Sequence, residues 1–446
     1  FYYRRFVMKI DLPWGSSSIQ IDLPESWEVI IPEHQLKELS PKKQKGKDIV
    51  AKSIAQPIAA KALAKHSLKN KKIVIIVDDN TRPTPAHTFF DVILDALKKA
   101  GCNTKNNAIV IPALGIHTPM TQQEMEVKIG KKNMSQLQWE NHDAFDKARN
   151  AHFGKTSRGI DVYLNHHLKD ADLVLLIGLV EPHLWAGFGG GLKNILPGVA
   201  YSETIGHHHA IIAEPPYRFN RVAVDAEQNS FRLDLEETLN MIKGEIFCIN
   251  VVLDINKEII ASFAGHPIKC HREAVAFTKT ICGLPLQKKV DGIITNSFPM
   301  DINFKQSMKC VGNCLPALRP KGIVMGFLRA ERGLDDIPMP EKSTPLWITR
   351  TILRTLGPSR VLGFLEKIQP GLNVEEKFLT YYSMQLIRAH NLYFYVPSLS
   401  DKEVKALGFF ERFTSPQGVI ERGLNHLGKK ATVAVFKEGG STFPLL

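Results

Sequence analysis

A chain of 446 residues is long enough for two or three domains with cores of their own. Its 44% hydrophobic and 23% charged content are those of a soluble globular protein, and no apolar run approaches the roughly 20 residues that cross a bilayer, which argues against a membrane partner. The net charge of +12 suits an anionic small molecule. It does not point to nucleic acid, because no arginine-rich arm, zinc finger or aromatic RNA-binding signature accompanies it.

Phe1 to Val7 precede Met8 and read as an upstream extension outside the fold. Residues 8–30 alternate apolar and polar positions between turn residues and predict a β-hairpin. Residues 49–66 are alanine-rich and predict a helix. The run 73–77 is continuously apolar, as in a buried parallel strand, and leads into Asp78-Asp-Asn-Thr-Arg-Pro-Thr-Pro85. Phe89, Phe90, Val92, Ile93, Ala96 and Leu97 then recur at helical spacing until Gly101. The same unit repeats at 108–111, with the loop Pro112-Ala-Leu-Gly-Ile-His-Thr-Pro-Met120 and a capping box from Thr121 to Glu124. A third unit runs from 172–178 into a loop with four glycines among five residues. Strands alternating with helices imply a mostly parallel, helix-covered sheet, whose ligand sits at the carboxyl ends of the strands. All three polar loops fall there.

A second α/β region starts near Val290, with strands at 292–296, 322–327, 392–396 and 431–436 and a helix reaching Lys309. The expected architecture is therefore two α/β domains with mostly parallel, helix-covered sheets, 8–275 and 290–446. The active site is expected in the cleft between them. Residues 274–289 are the candidate connector, and the chain end is a candidate to pack back on the first domain. Six scattered cysteines, with no second pair beside Cys310 and Cys314, argue against a zinc site and read as reduced thiols of a cytoplasmic protein.

The loops carry the chemistry. Gly187, Gly189, Gly190 and Gly191 let a backbone lie close to a bulky anion, and His183 and Lys193 flank them. The stretch is not a P-loop, because Leu192 precedes the lysine and Asn194 follows it. Arg82 suits a carboxylate in a two-pronged pair, or else an ion pair that pins the Asp78–Asp79 turn. His117 and His183, at the same end of the sheet, suit proton transfer from either side of a substrate. His207-His-His209 offers imidazole ligands, of which at most one or two can reach one metal.

Asp78-Asp-Asn-Thr-Arg-Pro-Thr-Pro85, Ala113-Leu-Gly-Ile-His-Thr-Pro-Met-Thr121, Pro182-His-Leu-Trp-Ala-Gly-Phe-Gly-Gly-Gly-Leu-Lys193 and Asp301-Ile-Asn-Phe-Lys-Gln-Ser-Met-Lys309 resemble, in order, the signature motifs of the nickel-dependent lactate racemase family. The resemblance implies a racemase or epimerase of a 2-hydroxy acid, working by hydride transfer through a 2-keto acid. It implies a nickel-pincer nucleotide, a pyridinium mononucleotide bound covalently at Lys193, with His209 as the metal's protein ligand. His117 and His183 match the acid/base pair, and Arg82, Gln306 and Lys309 the substrate binders. Asp79, Thr81, Gly189, Gly190 and Gly191 are the implied cofactor contacts, and cofactor-building enzymes the implied partners. Two positions depart from the pattern: Gly189 replaces a serine, and Lys305 stands where lactate-specific members carry a tyrosine. An added cation there favours a substrate with a second anionic or polar group over plain lactate. The alternative of a different class is a non-enzymatic nucleotide-binding or cofactor-carrying protein of the same fold.

Overall fold

The computed structural model describes residues 6–33, 45–213, 220–335, 345–368 and 374–446. The chain forms two compact units. The first, made of residues 38–212 and 224–279, carries the glycine loop; the second comprises 1–37, 213–223 and 280–446.

The glycine-loop unit is built on a six-stranded sheet. Its order is Ile259–Gly265, Glu245–Leu253, Leu173–Leu179, Ile73–Asp78, Ala108–Ala113 and Gln138–Trp139. All neighbours are parallel except the Ile259–Gly265 edge strand. Every residue of Ile73–Asp78 and Leu173–Leu179 is buried, as expected for central strands covered on both faces. The helix Phe90–Lys99 lays Phe90, Ile93, Leu94 and Leu97 on this sheet. Thr121 and Glu124 form the expected capping box at the start of Gln122–Ile129. The chain goes from Ile73–Asp78 outward to one edge, then returns to Leu173–Leu179 on the other side. The direction therefore switches between these two strands, where open α/β sheets bind ligands.

The second unit has a six-stranded, all-parallel sheet in the order Glu411–Phe413, Asn391–Tyr395, Leu318–Phe327, Val290–Asn296, Thr432–Phe436 and Glu28–Ile30. The hairpin Phe6–Trp14/Ser17–Pro24 belongs here. Ile10, Leu12, Ile21 and Leu23 share a core with Ile294, Ile323, Met325 and Val433.

Both units confirm α/β sheets that are mostly parallel, but the division differs from 8–275 and 290–446. The N-terminal residues leave the first domain because the hairpin's apolar face is buried on the other sheet, which Glu28–Ile30 extends. The chain end likewise stays in the second unit, where Phe443–Leu445 pairs with Gly283–Pro285. Phe6 and Val7 begin a strand rather than lying outside the fold. The helix expected over 49–66 is Gly46–Ala55, since Pro57 lacks the N–H to continue it and turns Gln56 out of helical geometry. Residues 274–289 do contain the crossing, since the chain passes from one unit to the other after Lys279, but it crosses within the helix Pro267–Cys282 rather than in a loop.

Candidate active site

Three loops gather where the chain direction switches. In the first, Asp78 and Asp79 are both buried. Asp78 accepts from Thr84 Oγ1 at 2.5 Å and from the Leu179 amide at 3.1 Å, which ties the turn to the neighbouring strand. Its other oxygen lies 2.8 Å from Lys128 Nζ. Lys128 is itself buried and donates to the carbonyls of Asp79 (2.8 Å) and Arg82 (3.0 Å). One ammonium thus clamps both ends of the turn, with Asp78 as its countercharge. The ion pair of Arg82 is made elsewhere, from Nη1 to Glu181 Oε1 at 2.7 Å.

Asp79 Oδ1 accepts from the Thr81 amide (3.1 Å) and hydroxyl (2.5 Å). Its Oδ2 accepts from His117 Nδ1 at 2.7 Å, in the second loop. Burial pushes the Asp79 carboxyl up, but the bonds and charge of His117, then Thr81 and Arg82, outweigh it and bring the pKa down to about 2. Asp79 is therefore a carboxylate at any working pH. In the neutral form of His117 it holds the ring proton on Nδ1 and leaves the lone pair on Nε2.

His183, in the third loop, is held the opposite way. Its Nδ1 accepts from the amides of Trp185 (3.3 Å) and Ala186 (3.2 Å), so the neutral ring carries its proton on Nε2. One histidine is thus set to accept a proton at Nε2 while the other is set to donate one. The ring of Trp185 stands 6.3 Å from that of His183 and 5.5 Å from that of His209, joining the glycine loop to the helix Ser202–His209.

The three consecutive histidines have separate surroundings. His207 is exposed, and His208 uses Nε2 on the Phe231 carbonyl at 3.0 Å. His209 donates from Nδ1 to the Ile205 carbonyl at 2.9 Å, which places its lone pair on Nε2. Burial, then the charges of His208 and Lys193, drive His209 well below the usual histidine range. It is neutral, the form a metal requires. Among the described residues no group of three or more His, Cys, Asp or Glu side chains could hold a metal ion.

Lys193 follows the glycines at the end of the short turn Gly191–Asn194. Burial of its ammonium, then the charge of Arg82 and less so of Arg232, brings Lys193 down to about 7, against the pull of Asp79 and Glu181. A substantial fraction of the amine is then unprotonated and nucleophilic at neutral pH. Asp79, Thr81, Arg82, His117, His183, Gly189, Gly190, Gly191, Lys193 and His209 all belong to the glycine-loop unit. Lys305, Gln306 and Lys309 belong to the second unit, half-buried on the adjoining short helices Phe304–Ser307 and Lys309–Cys314. Asn303 caps the first of these by accepting from the Gln306 amide at 2.9 Å.

Residues 14–219 match the family model described as lactate racemase N-terminal domain. The chain is 32% identical over 321 residues to lactate racemase of Thermoanaerobacterium thermosaccharolyticum, covering 71% of this chain and 73% of that protein. The chain belongs to the lactate racemase family. A second relative, lactate racemase of Lactiplantibacillus plantarum, is 32% identical over 265 residues, which cover 59% of this chain and 61% of the relative. The solved apoprotein from T. thermosaccharolyticum superposes with a TM-score of 0.82 at 25% identity, over 98% of this chain and all of that one. A Thermotoga maritima structure shares the fold at a TM-score of 0.62 and 16% identity. The protein is thus an enzyme, an isomerase of the racemase type.

Several residues of this racemase escaped the sequence reading. Lys128, Glu181, Asn250, Arg232 and His271 each hold a site loop, through carbonyls, amides or a single ion pair. Only Glu181 carried a signal, since it directly precedes the motif that begins at Pro182.

Proposed function

We propose that this racemase inverts a 2-hydroxy acid by hydride transfer through a planar 2-keto acid, with a nickel-pincer nucleotide attached to Lys193. The observation that carries the reading is the opposite tautomer of the two histidines. A racemase must take the hydroxyl proton from one configuration and deliver one to the other, which calls for a base and an acid at once. His117 Nε2 would accept the hydroxyl proton; His183 Nε2–H would return one to the keto oxygen. Arg82 and Lys309 would hold the carboxylate while the rest of the molecule turns, with Gln306 assisting. Lys305 would meet a second polar group on a substrate larger than lactate.

The residues fit the cofactor. Burial brings Lys193 down to about 7, so an uncharged amine is accessible near neutral pH, and His209 is neutral with its lone pair on Nε2. His209 would be the metal's protein ligand, with the nucleotide supplying the others. Gly189, Gly190 and Gly191 would lie against the nucleotide, with Asp79 and Thr81 beside it. The chemistry such a nucleotide supplies when bound is reversible acceptance of the α-hydrogen as hydride. The enzymes that build the cofactor are then the required partners, in the cytoplasm, where the free cysteines stay reduced.

The test is enzyme co-expressed with cofactor-building enzymes and given one lactate enantiomer in D2O, with larger 2-hydroxy acids in parallel. A nickel-containing adduct on Lys193 and full retention of the α-hydrogen in the inverted product are expected. Deuterium at the α-carbon on the first turnover would overturn the hydride step, and absence of the adduct would overturn the cofactor.

A further inference from the structure

The glycine loop is held from below by charged and polar side chains. His271 Nε2 donates to the Gly189 carbonyl at 2.9 Å, and Arg232 Nη1 donates to the Gly190 carbonyl at 3.2 Å. The Gly191 amide is taken by Asn250 Oδ1 at 2.9 Å. Arg232 is 1% exposed and donates from Nε to Glu236 at 2.7 Å. Glu236 in turn accepts a two-pronged pair from Arg272 at 2.8 and 2.7 Å. Burying this network costs more desolvation than an apolar packing of the same volume. Arg232 Nη2 adds to that cost, because it has no hydrogen-bond partner among the described residues. It lies against Gly191, where a Cβ would come within 2.8 Å of it. An ion pair that only joined two helices would not need to reach into the loop.

The loop needs such a hold. Gly190 and Gly191 have φ of +74° and +62°, a region only glycine enters without strain, and the same lack of a side chain leaves them free to leave it.

We propose that Arg232, braced by Glu236 and Arg272 and aided by His271, is a positioning residue that draws the Gly189 and Gly190 carbonyls inward and so sets Lys193 toward the cofactor. The part concerning Lys193 rests on the cofactor reading above; the part concerning the loop does not. A cavity of about 400 Å³ lies beside this network, with Phe188, Arg232, His271, Arg272, Val275 and Lys279 in its wall. Arg232 and His271, which hold the loop carbonyls, both form part of that wall, so shortening Arg232 enlarges a space that already reaches the loop at Phe188.

The experiment uses the full chain as wild type, Arg232→Gln, Arg232→Lys and Glu236→Gln. Hydrogen exchange of a peptide spanning residues 186–196 is compared with that of Ile73–Asp78 and Leu173–Leu179, and Lys193 adduct is measured after co-expression with cofactor-building enzymes. Arg232→Gln is expected to speed loop exchange by roughly ten-fold, the effect of losing one charge-assisted hydrogen bond, with the two strands unchanged. Its adduct yield should fall several-fold. Arg232→Lys, which keeps the charge and a donor, should fall between it and wild type. If Arg232→Gln does not fold, Glu236→Gln removes the brace without emptying the site and should show the same loop-selective change. Unchanged loop exchange, or loop and strands speeding up together, would overturn the proposal. Wild type without adduct would sink the cofactor reading, while the exchange comparison still decides the role of Arg232.

Discussion

Asp79→Asn is the substitution that most directly tests the assignment of His117 as base. Between the ordinary aspartate pKa and about 2 lies roughly 2 kcal/mol of preference for the carboxylate, set mainly by His117 against the cost of burial. Because the folded pKa is depressed, this stabilisation is present at neutral pH and is lost as the pH falls from about 4 through about 2. The substitution removes it with hardly any change of volume. Its effect on tautomer follows from Thr81. Both the amide and the hydroxyl of Thr81 donate to Oδ1, so the asparagine carbonyl takes that place and its NH2 faces His117 Nδ1. The histidine must then accept there, and its proton moves to Nε2. Both site histidines would be acids and none a base. Loss of a positioned general base lowers kcat by roughly 10²- to 10⁴-fold, with KM little changed. Since a racemisation has an equilibrium constant of one, kcat/KM must fall equally from either enantiomer, which checks the assay internally. The assay is polarimetry from each pure enantiomer at matched adduct content, with 15N NMR reporting which nitrogen of His117 is protonated. A kcat within about three-fold of wild type, or a His117 still protonated on Nδ1, would refute the argument.

Three other outcomes follow from single contacts. Lys128→Met leaves Asp78 buried without its cation and should cost about 3–5 kcal/mol in denaturant unfolding; a loss below about 1 kcal/mol would mean that Lys128 does not clamp the turn. In apo protein, acylation of Lys193 read by peptide mass spectrometry should rise with pH through a midpoint near 7, while exposed lysines follow only well above it. A midpoint near that of the exposed lysines would remove the case for an activated amine. Leu12→Ala should destabilise by roughly 2–5 kcal/mol, because Leu12 is fully buried in the core of the second unit; a near-neutral result would mean that the hairpin is a dispensable tail.

The central strands were legible because parallel strands covered on both faces leave continuous apolar runs of strand length bounded by turn residues, as at 73–77 and 172–178. The hairpin was legible as a hairpin but not as part of the second unit. Alternation shows that one face is buried and is silent about what buries it. The strand pair Glu245–Leu253 and Ile259–Gly265 went unread, though its first member is almost wholly buried. At the site, the loops named themselves by their motifs, whereas the residues that hold them did not. Lys128 sits on an ordinary helix, and its partners, 46 and 49 residues away, include backbone carbonyls that any sequence would provide. The two histidines show where the boundary falls. For His183 the deciding donors are amides two and three residues on, so its tautomer was within reach of a local reading. For His117 the deciding atom is a carboxylate 38 residues earlier, on another strand's loop. A motif can therefore supply two histidines and still not say which is acid and which is base; that assignment belongs to the sheet, which brings Asp79 to one ring and backbone N–H groups to the other.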